Sequence, residues 1–299
     1  MSLTVILSFV VTTIISALMI PLVIKAGNQL GIVAHMNKRT VHKHEIARIG
    51  GYAIYLSSLI GSALFLKADH QINAIMVAGF IIFMVGLYDD SHDLSPKVKL
   101  IFEVIAALIV IVYGEIYIKG FGYFPSDAMT FLSGVVTLFW IVGITNAINL
   151  IDGLDGLSAG ISIIVLVTIS MTSLLSGRSD IASLSLILAG SIMGFLFFNF
   201  HPAKIFMGDT GSLAIGGAIA TIAIILEQPL LIIIVGGVYV FETLSVIIQV
   251  TSFKLTGKRV FKMAPVHHHF EKCGWSEVKI VTVFSLITAV LCLIGFLAL

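Results

Sequence analysis

About ten runs of apolar residues, each long enough to cross a lipid bilayer as a helix, follow one another along the chain. The hydrocarbon core of a bilayer requires about 20 apolar residues in one helix. The runs lie at 3–24, 49–66, 72–88, 100–118, 128–147, 158–176, 181–198, 211–226, 229–252 and 278–298. The chain is 58% hydrophobic and 11% charged, which leaves too little polar surface to cover a soluble core. We therefore predict one integral-membrane domain, 1–299, that is all-α and polytopic with about ten transmembrane helices.

The composition also argues against several other classes of protein. A net charge of +1 offers no basic face for nucleic acid. The two cysteines, Cys273 and Cys292, provide no disulfide framework. The first apolar run has no basic segment before it and no small-residue cleavage site after it, so we expect a retained helix.

Positive residues are distributed unevenly between the two sets of loops. Most lysines and arginines lie in five alternate loops: 25–48, 89–99, 146–157, 199–210 and 253–277. The opposite loops carry only Lys67, Lys119 and Arg178. Because loops rich in Lys and Arg stay cytoplasmic, we predict that the first set faces the cytoplasm. Both termini then lie outside, and the protein spans the inner (plasma) membrane with its polar loops on the cytoplasmic face.

The second of these loops begins with two adjacent carboxylates, Asp89 and Asp90. Such a pair repels itself unless a cation or a shared proton relieves it. It indicates a divalent-metal site or a general base, although a hydrated helix end explains it about as well. Lys97 and Lys99 nearby suit a phosphate ligand or interfacial snorkelling.

The third loop places Asn146, Asn149 and Asp152 three residues apart. If the preceding helix continues, these side chains share one face, and a polar stripe at that depth is a candidate site. Asp152-Gly153 and Asp155-Gly156 then end the helix, although an Asp-Gly turn without any ligand is also common.

The fourth loop contains Asn199, Phe206 and Asp209 ahead of the next apolar run. Asp209 could hold a metal ion, or it could simply cap the helix that follows. Phe206 could stack on a nucleobase, or it could contact lipid.

The first and fifth loops are basic and rich in histidine. The fifth contains three consecutive histidines, His267, His268 and His269, whose spacing fits zinc poorly. We interpret them as contacts to phosphate or sugar, with a basic strip against anionic lipid as the alternative. The first loop, which includes Lys43, could reach over an anionic substrate or could only follow the orientation rule.

Together these loops favour phosphoryl chemistry at the membrane interface. The sequence has no P-loop signature, and the charged residues inside the runs, Glu103 and Glu242, lie near the cytoplasmic ends. Transporters usually carry polar groups near the midplane, so a lipid or solute transporter is the less favoured alternative, followed by a non-catalytic scaffold. A metal ion held by carboxylates would neutralise a diphosphate, and lysines would bind its outer oxygens.

Four motifs resemble those of the polyprenyl-phosphate N-acetylhexosamine-1-phosphate transferase superfamily, glycosyltransferase family 4. They are VGLYDD, NAINLIDGLDG, FNFHPAKIFMGDTGS and MAPVHHHFE, and they occur in the matching order over nearly the whole chain. The resemblance implies a Mg²⁺-dependent enzyme that transfers a sugar 1-phosphate from a UDP-sugar to undecaprenyl phosphate and releases UMP. By analogy, it also implies a homodimer.

The resemblance assigns catalytic and metal-binding roles to five residues. Asp89 and Asp90 match the acidic pair, one of which deprotonates or positions the lipid phosphate. Asp209 matches a magnesium ligand, and we assign Asp90 and Asp152 to the same ion. His267 matches an essential histidine of the last cytoplasmic loop. We favour direct attack by the lipid phosphate, because an ordered acceptor requires no covalent relay.

The resemblance also implies a set of residues that bind the substrates. Phe206 matches an aromatic residue that packs on uracil, and Lys97 and Lys99 resemble lysines near the phosphates. Together with residues taken from the loops themselves, the predicted substrate-binding set is Lys43, Lys97, Lys99, Asn146, Asn149, Asp152, Asp155, Asn199, Phe206, His268 and His269.

The two ends of the chain resemble family members that use different sugar donors. The front part, with HKHEIARIGG and GLYDDSHDLSPKVK, resembles members that use UDP-N-acetylglucosamine to initiate teichoic acid or other envelope polysaccharides. The tail, with FKMAPVHHHFEKCGWSE, resembles members that use UDP-N-acetylmuramoyl-pentapeptide in peptidoglycan synthesis. We give the tail more weight and predict the muramoyl-pentapeptide donor, with N-acetylglucosamine as the alternative.

Overall fold

The computed structural model describes residues 3–34, 46–119 and 127–298. Lys43, predicted to bind substrate, lies outside the described residues. The described part of the chain forms the following helices in order: α1 (Leu3–Leu30), α2 (Gly50–Phe65), α3 (His70–His92), α4 (Pro96–Val112), α5 (Asp127–Ile151), α6 (Leu157–Leu175), α7 (Ser179–Asn199), α8 (Gly208–Ile225), α9 (Pro229–Val235), α10 (Gly237–Thr256), α11 (Val266–Lys272) and α12 (Glu277–Leu297). Two short strands, β1 (Val33–Ala34) and β2 (Ile46–Ala47), pair antiparallel.

Each predicted apolar run forms helix, so the all-α polytopic prediction is confirmed. Among the described residues, eight helices are long and apolar enough to cross a membrane. Two further runs form the shorter helices α2, of 16 residues, and α4, of 17. The ninth run is not one helix, because the glycine pair Gly236-Gly237 divides it into α9 and α10. The sides on which the loops and termini lie stay predictions.

The helix boundaries differ from the predicted runs where the polar motifs begin. Helix α3 continues past the apolar run to His92, so Asp89 and Asp90 lie within a helix and not in a loop. Helix α5 likewise continues through Asn146 and Asn149, which is the condition for these two side chains to share one helix face. Helix α8 begins at Gly208, which places Asp209 in its first turn. The three histidines lie in a short helix, α11, that hydropathy did not predict.

The centre of the bundle is formed by α6, α7 and α8, which are mostly buried, whereas only a minority of the residues of α1, α10 and α12 are buried. Small residues allow close packing around this centre. A Cβ atom at Gly194 of α7 would lie 2.5 Å from the carbonyl oxygen of Thr13 in α1, and Ser16 Oγ donates to the carbonyl of Ser191 at 2.7 Å. Helices in lipid associate through such close backbone contacts and hydrogen bonds, because lipid weakens the hydrophobic contribution.

Two glycines bring α2 and α3 against the first turn of α8. A Cβ atom at Gly51 of α2 would lie 2.1 Å from the backbone nitrogen of Gly211. A Cβ atom at Gly86 of α3 would lie 2.5 Å from Cα of Thr210. Any larger residue would therefore separate these helices, since the opposing atoms belong to backbone. These glycines place the end of α3, with its acidic pair, beside Asp209.

Backbone hydrogen bonds also join β2 to the segment before α8. The nitrogen of Phe206 donates to the carbonyl of Ala47 at 2.9 Å, and the nitrogen of Gly50 donates to the carbonyl of Phe206 at 2.9 Å. Arg48 lies between these two connections. These two backbone hydrogen bonds therefore hold Arg48 near the start of α8.

Candidate active site

Three carboxylates converge where α3 ends and α8 begins. Asp89, Asp90 and Asp209 each offer an oxygen, and these oxygens lie within 4.8 Å of one another. Asp89 and Asp209 are buried, and Asp90 is half-buried. Carboxylate oxygens are the ligands that Mg²⁺ prefers, so this donor set fits a magnesium ion. We refer to these three residues as the acidic cluster.

Asp90 is bound to the beginning of α8 by three hydrogen bonds. Its Oδ1 accepts from the backbone nitrogen of Asp209 at 2.9 Å. Its Oδ2 accepts from the backbone nitrogen of Thr210 at 3.0 Å and from the Thr210 hydroxyl at 2.5 Å. These bonds satisfy amides that have no partner within the helix, and the negative charge suits a helix N-terminus. Asp90 therefore orients the turn that carries Asp209.

Lys99 and Arg48 balance the charge of the acidic cluster. Lys99 Nζ lies 3.1 Å from Asp89 Oδ2 and 2.7 Å from Asp209 Oδ2. Arg48 Nη2 lies 3.3 Å from Asp209 Oδ1, and its Nε lies 3.5 Å from Asp90 Oδ1. Although burial by itself lowers the pKa of Arg48, the carboxylates of Asp90 and Asp209 raise that pKa above its ordinary value. Two cations thus hold three carboxylates together.

Sequence reasoning missed Arg48 as a site residue. Its only signal was its position at the end of the basic first loop, directly before the Gly50-Gly51 pair. Lys99 was predicted and lies in the cluster. Lys97 is exposed at the beginning of α4.

The predicted stripe on α5 faces two neighbouring helices. Asn146 donates to the carboxylate of Glu103 on α4 and to the carbonyl of Val142. Asn149 Nδ2 donates to Ser212 Oγ of α8 at 2.8 Å. Both amides therefore fix α5 against the helices that carry Lys99 and Asp209.

Asp152 follows α5 and lies close enough to the acidic cluster to respond to its charge. Burial, followed by the negative charge of Asp209, raises the pKa of Asp152 to about 7. A carboxyl group whose pKa is raised by neighbouring carboxylates lies in negatively charged surroundings, and such surroundings favour the binding of a cation. Asp152 is not among the three carboxylates whose oxygens lie within 4.8 Å of one another, so its role as a metal ligand stays a prediction.

Asp155 lies in a second cluster, with His201 and Glu277. Its Oδ2 accepts from the backbone nitrogen of Ala203 at 2.9 Å and lies 3.1 Å from His201 Nδ1. Glu277, the first residue of α12, accepts from the backbone nitrogen of Asp155 at 2.6 Å, and its other oxygen lies 3.2 Å from His201 Nδ1. These contacts of the Asp155 carboxylate hold the segment between α7 and α8. Neither His201 nor Glu277 was predicted.

Asn199 fastens the same loop from the end of α7. Its Oδ1 accepts from the backbone nitrogen of Gly156 at 3.0 Å, and its Nδ2 donates to the carbonyl of Ile205 at 2.9 Å. The buried amide thereby connects the loop after α5 to the segment that contains half-buried Phe206. These predicted residues come together around one loop.

The three histidines have different surroundings. His267 is fully buried, and its Nδ1 lies 3.2 Å from Glu242 Oε2 on α10. His268 Nδ1 lies 2.5 Å from Glu271 Oε2, and burial together with neighbouring His267 lowers the pKa of His268. His269 Nδ1 accepts from the backbone nitrogen of Lys262 at 3.0 Å. His267 approaches the loop of Asp152, as a Cβ atom at Gly153 would lie 2.5 Å from its Nε2.

Comparison with known proteins identifies the family. The family model for glycosyl transferase family 4 matches residues 72–227, which include the acidic cluster. A phospho-N-acetylmuramoyl-pentapeptide-transferase of Clostridium botulinum strain Eklund 17B is 42% identical over 98% of this chain and 94% of its own length. Proteins with the same name from Clostridium beijerinckii and Clostridium acetobutylicum are each 40% identical, over 98% and 99% of this chain and 95% and 98% of their own lengths. The chain belongs to glycosyl transferase family 4 and is homologous over nearly its full length to phospho-N-acetylmuramoyl-pentapeptide-transferases.

Proposed function

We propose that the chain transfers phospho-N-acetylmuramoyl-pentapeptide from its UDP derivative to undecaprenyl phosphate. The products are UMP and a lipid-linked precursor of peptidoglycan. The observation that carries this proposal is the convergence of Asp89, Asp90 and Asp209 around Lys99, in a chain that matches transferases of this name from end to end.

The acidic cluster supports a magnesium site. Asp209 and Asp90, with Asp152, would hold Mg²⁺, which when bound supplies the positive charge that a diphosphate requires. Lys99 and Arg48 are positioned to exchange their carboxylate partners for phosphate oxygens when the donor and the ion enter. The carboxylates would therefore bind the metal ion, and the two cations would bind the negatively charged phosphates of the substrate.

Asp89 is placed to act on the acceptor. It would orient the phosphate of the lipid and take its proton if that phosphate arrives protonated. An oxygen of the lipid phosphate then forms a bond to the sugar-linked phosphorus of the donor, and the bond from that phosphorus to UMP breaks. Direct attack of this kind requires two correctly held substrates, because positioning supplies much of the rate in phosphoryl transfer.

The loop between α5 and α6 would form the nucleotide side of the site. Asn149 and Asp152 lie at its beginning, Asp155 and Asn199 hold its far end, and Phe206 would pack on uracil. His267 approaches the middle of this loop, and His268 and His269 continue the same helix toward the surface. Lys43 and Lys97 would complete the basic surroundings of the phosphates.

The membrane setting agrees with a lipid acceptor. The acidic cluster lies at the ends of α3 and α8, where a lipid phosphate at the interface can reach it. A cytoplasmic position in the plasma membrane follows from the distribution of Lys and Arg and is part of this proposal. A homodimer stays a prediction by analogy.

Turnover with two alternative donors tests the proposal. Purified full-length protein receives undecaprenyl phosphate, Mg²⁺ and either UDP-N-acetylmuramoyl-pentapeptide or UDP-N-acetylglucosamine, and UMP release is measured. We expect turnover with the muramoyl donor. Turnover with N-acetylglucosamine alone would assign the chain to the other branch, and no UMP release with either donor would contradict the reaction itself.

A further inference from the structure

A buried carboxylate on a membrane helix contacts the first histidine of the triplet. Glu242 lies in α10, and neither it nor His267 has any exposed surface. Glu242 Oε2 lies 3.2 Å from His267 Nδ1, and Glu242 Oε1 accepts from the backbone nitrogen of His267 at 3.2 Å. Ionisable groups inside a membrane protein are costly unless they are paired, so a pair of this kind indicates a function.

The other ring nitrogen of His267 points away from Glu242. A Cβ atom at Gly153 would lie 2.5 Å from Nε2 and 3.2 Å from Cε1 of the ring. Both ring nitrogens are buried, and neither makes a hydrogen bond of normal geometry within the described part of the chain. Nδ1 has the 3.2 Å approach to Glu242 Oε2, whereas Nε2 faces Gly153. Buried polar atoms usually have a hydrogen-bond partner, so we expect Nε2 to bind a group that comes from outside the protein.

The chemistry of imidazole connects these two observations. A neutral histidine carries its proton on one nitrogen, and the hydrogen bond made by that nitrogen selects the tautomer. A carboxylate has only acceptor atoms, so Glu242 Oε2, 3.2 Å from Nδ1, favours the proton on that nitrogen. The lone pair of Nε2 is then directed toward the loop of Gly153. The same carboxylate also holds the His267 backbone, which limits rotation of the ring.

We infer that Glu242 is a positioning residue that fixes the tautomer and direction of His267, so that Nε2 faces the substrate beside Gly153. This inference rests on the proposed function, since it assigns a partner to a histidine of that site. Glu242 itself does not contact the reacting atoms.

The spacing in sequence explains why hydropathy did not reveal this pair. Glu242 and His267 are 25 residues apart, on α10 and α11. Glu242 interrupts an apolar run with a single charge, and such a charge identifies no partner by itself. The contact requires α11 to fold back against α10.

Turnover of four full-length variants tests whether Glu242 acts through His267. Glu242→Gln keeps the size of the side chain and an acceptor for the backbone nitrogen, but it no longer selects the tautomer. We expect kcat to fall about 10- to 100-fold, the range typical of partners that orient a functional histidine, while KM changes little. The other variants are His267→Ala, the double variant, and Glu227→Gln, a control at an exposed glutamate paired with Lys119.

A double-mutant cycle separates positioning from general stability. If Glu242 acts through His267, Glu242→Gln should cause no further loss in the His267→Ala background. Equal losses in both backgrounds, or wild-type turnover of Glu242→Gln or His267→Ala, would overturn the inference. If Glu242→Gln does not yield folded protein, Glu242→Asp, which retains the charge on a shorter side chain, is measured in the same cycle.

Nuclear magnetic resonance provides a readout that does not depend on the donor. Full-length protein with ¹⁵N-labelled histidine is measured in lipid nanodiscs at mildly alkaline pH, and the His267→Ala spectrum identifies the His267 signals. We expect Nδ1 to carry the proton in the wild type and mixed tautomers in Glu242→Gln. An unprotonated Nδ1 in the wild type, or unchanged signals in the variant, would contradict the inference even if the proposed reaction is correct. Absence of turnover with either donor, together with the expected tautomer, would contradict only the proposed reaction.

Discussion

Lys99 Nζ lies 2.7 Å from Asp209 Oδ2, although the two residues are 110 positions apart in the chain. The same ammonium group lies 3.1 Å from Asp89 Oδ2. One lysine from the first turn of α4 therefore joins the carboxylates of α3 and α8. A cation at this place relieves the repulsion between the carboxylates.

Lys99→Met should weaken the folded protein most strongly in the absence of Mg²⁺. Loss of the ammonium leaves two carboxylates short of a partner, and hydrogen bonds to charged groups contribute about 1.5–3 kcal/mol. Thermal unfolding in detergent, with EDTA or with Mg²⁺, measures the effect. We expect a lower midpoint in EDTA and partial recovery with Mg²⁺. Lys119→Met, at an exposed ion pair, is the control and should behave as wild type in both conditions.

Asp209→Asn and Asp89→Asn should each abolish most turnover while the protein stays folded. The first removes a proposed magnesium ligand, and the second removes the group proposed to act on the lipid phosphate. We expect losses of about 1,000-fold or more, the scale at which charge stabilisation contributes to phosphoryl transfer. UMP release measures turnover, and the elution profile in detergent reports folding. Well-folded Asp89→Asn protein with normal turnover would remove Asp89 from the proposed mechanism.

Gly86→Ala should lower both stability and turnover, because the new Cβ atom would lie 2.5 Å from Cα of Thr210. Neither backbone can yield without moving α3 away from Asp209, and overpacking of this kind costs about 1–3 kcal/mol. Gly79→Ala is a matched control on the same helix, since its Cβ atom would lie 3.5 Å from Tyr55 Cε2, an ordinary contact. Thermal unfolding and UMP release should separate the two variants. Equal behaviour would show that the close approach of α3 and α8 does not position the cluster.

Glu277→Ala should raise KM for the UDP-sugar more than it lowers kcat. The substitution removes the acceptor of the Asp155 backbone nitrogen and the partner of His201, so the loop proposed to bind the nucleotide loses one support. A hydrogen bond to a charged group corresponds to about a tenfold change or more in binding. Steady-state kinetics over a range of donor concentrations measure the two constants. Glu277→Gln, which keeps an acceptor for Asp155, should recover much of the affinity, and a fall in kcat alone would contradict this role.

The carboxylates of the acidic cluster were predicted from the sequence, but one of the two cations that neutralise them was not. Asp89, Asp90 and Asp209 were predicted because carboxylates beside apolar runs require an explanation. Arg48 was missed, because a basic residue in a basic loop has no local feature that distinguishes it. Its partners lie in α3 and α8, and only the close packing at Gly51 and Gly86 brings them within reach.

The second cluster illustrates the same limit. Asp155 was predicted from its Asp-Gly motif, yet its carboxylate bonds to the backbone of Ala203 and lies beside His201. Glu277 was not predicted, since an acidic residue at a helix start is common for reasons of the helix dipole alone. Its role depends on where α12 begins relative to the loop after α5.

The apolar runs by themselves determined that this chain is an all-α membrane protein, because a bilayer requires a continuous apolar length and complete hydrogen bonding within each helix. They also placed the polar motifs between the apolar runs. The tertiary structure alone decided which of those motifs meet: Lys99 with Asp209, Asp155 with His201, and Glu242 with His267. The reason is physical, since such contacts depend on the packing of helices distant in sequence, and small residues that permit close approach leave no trace in hydropathy.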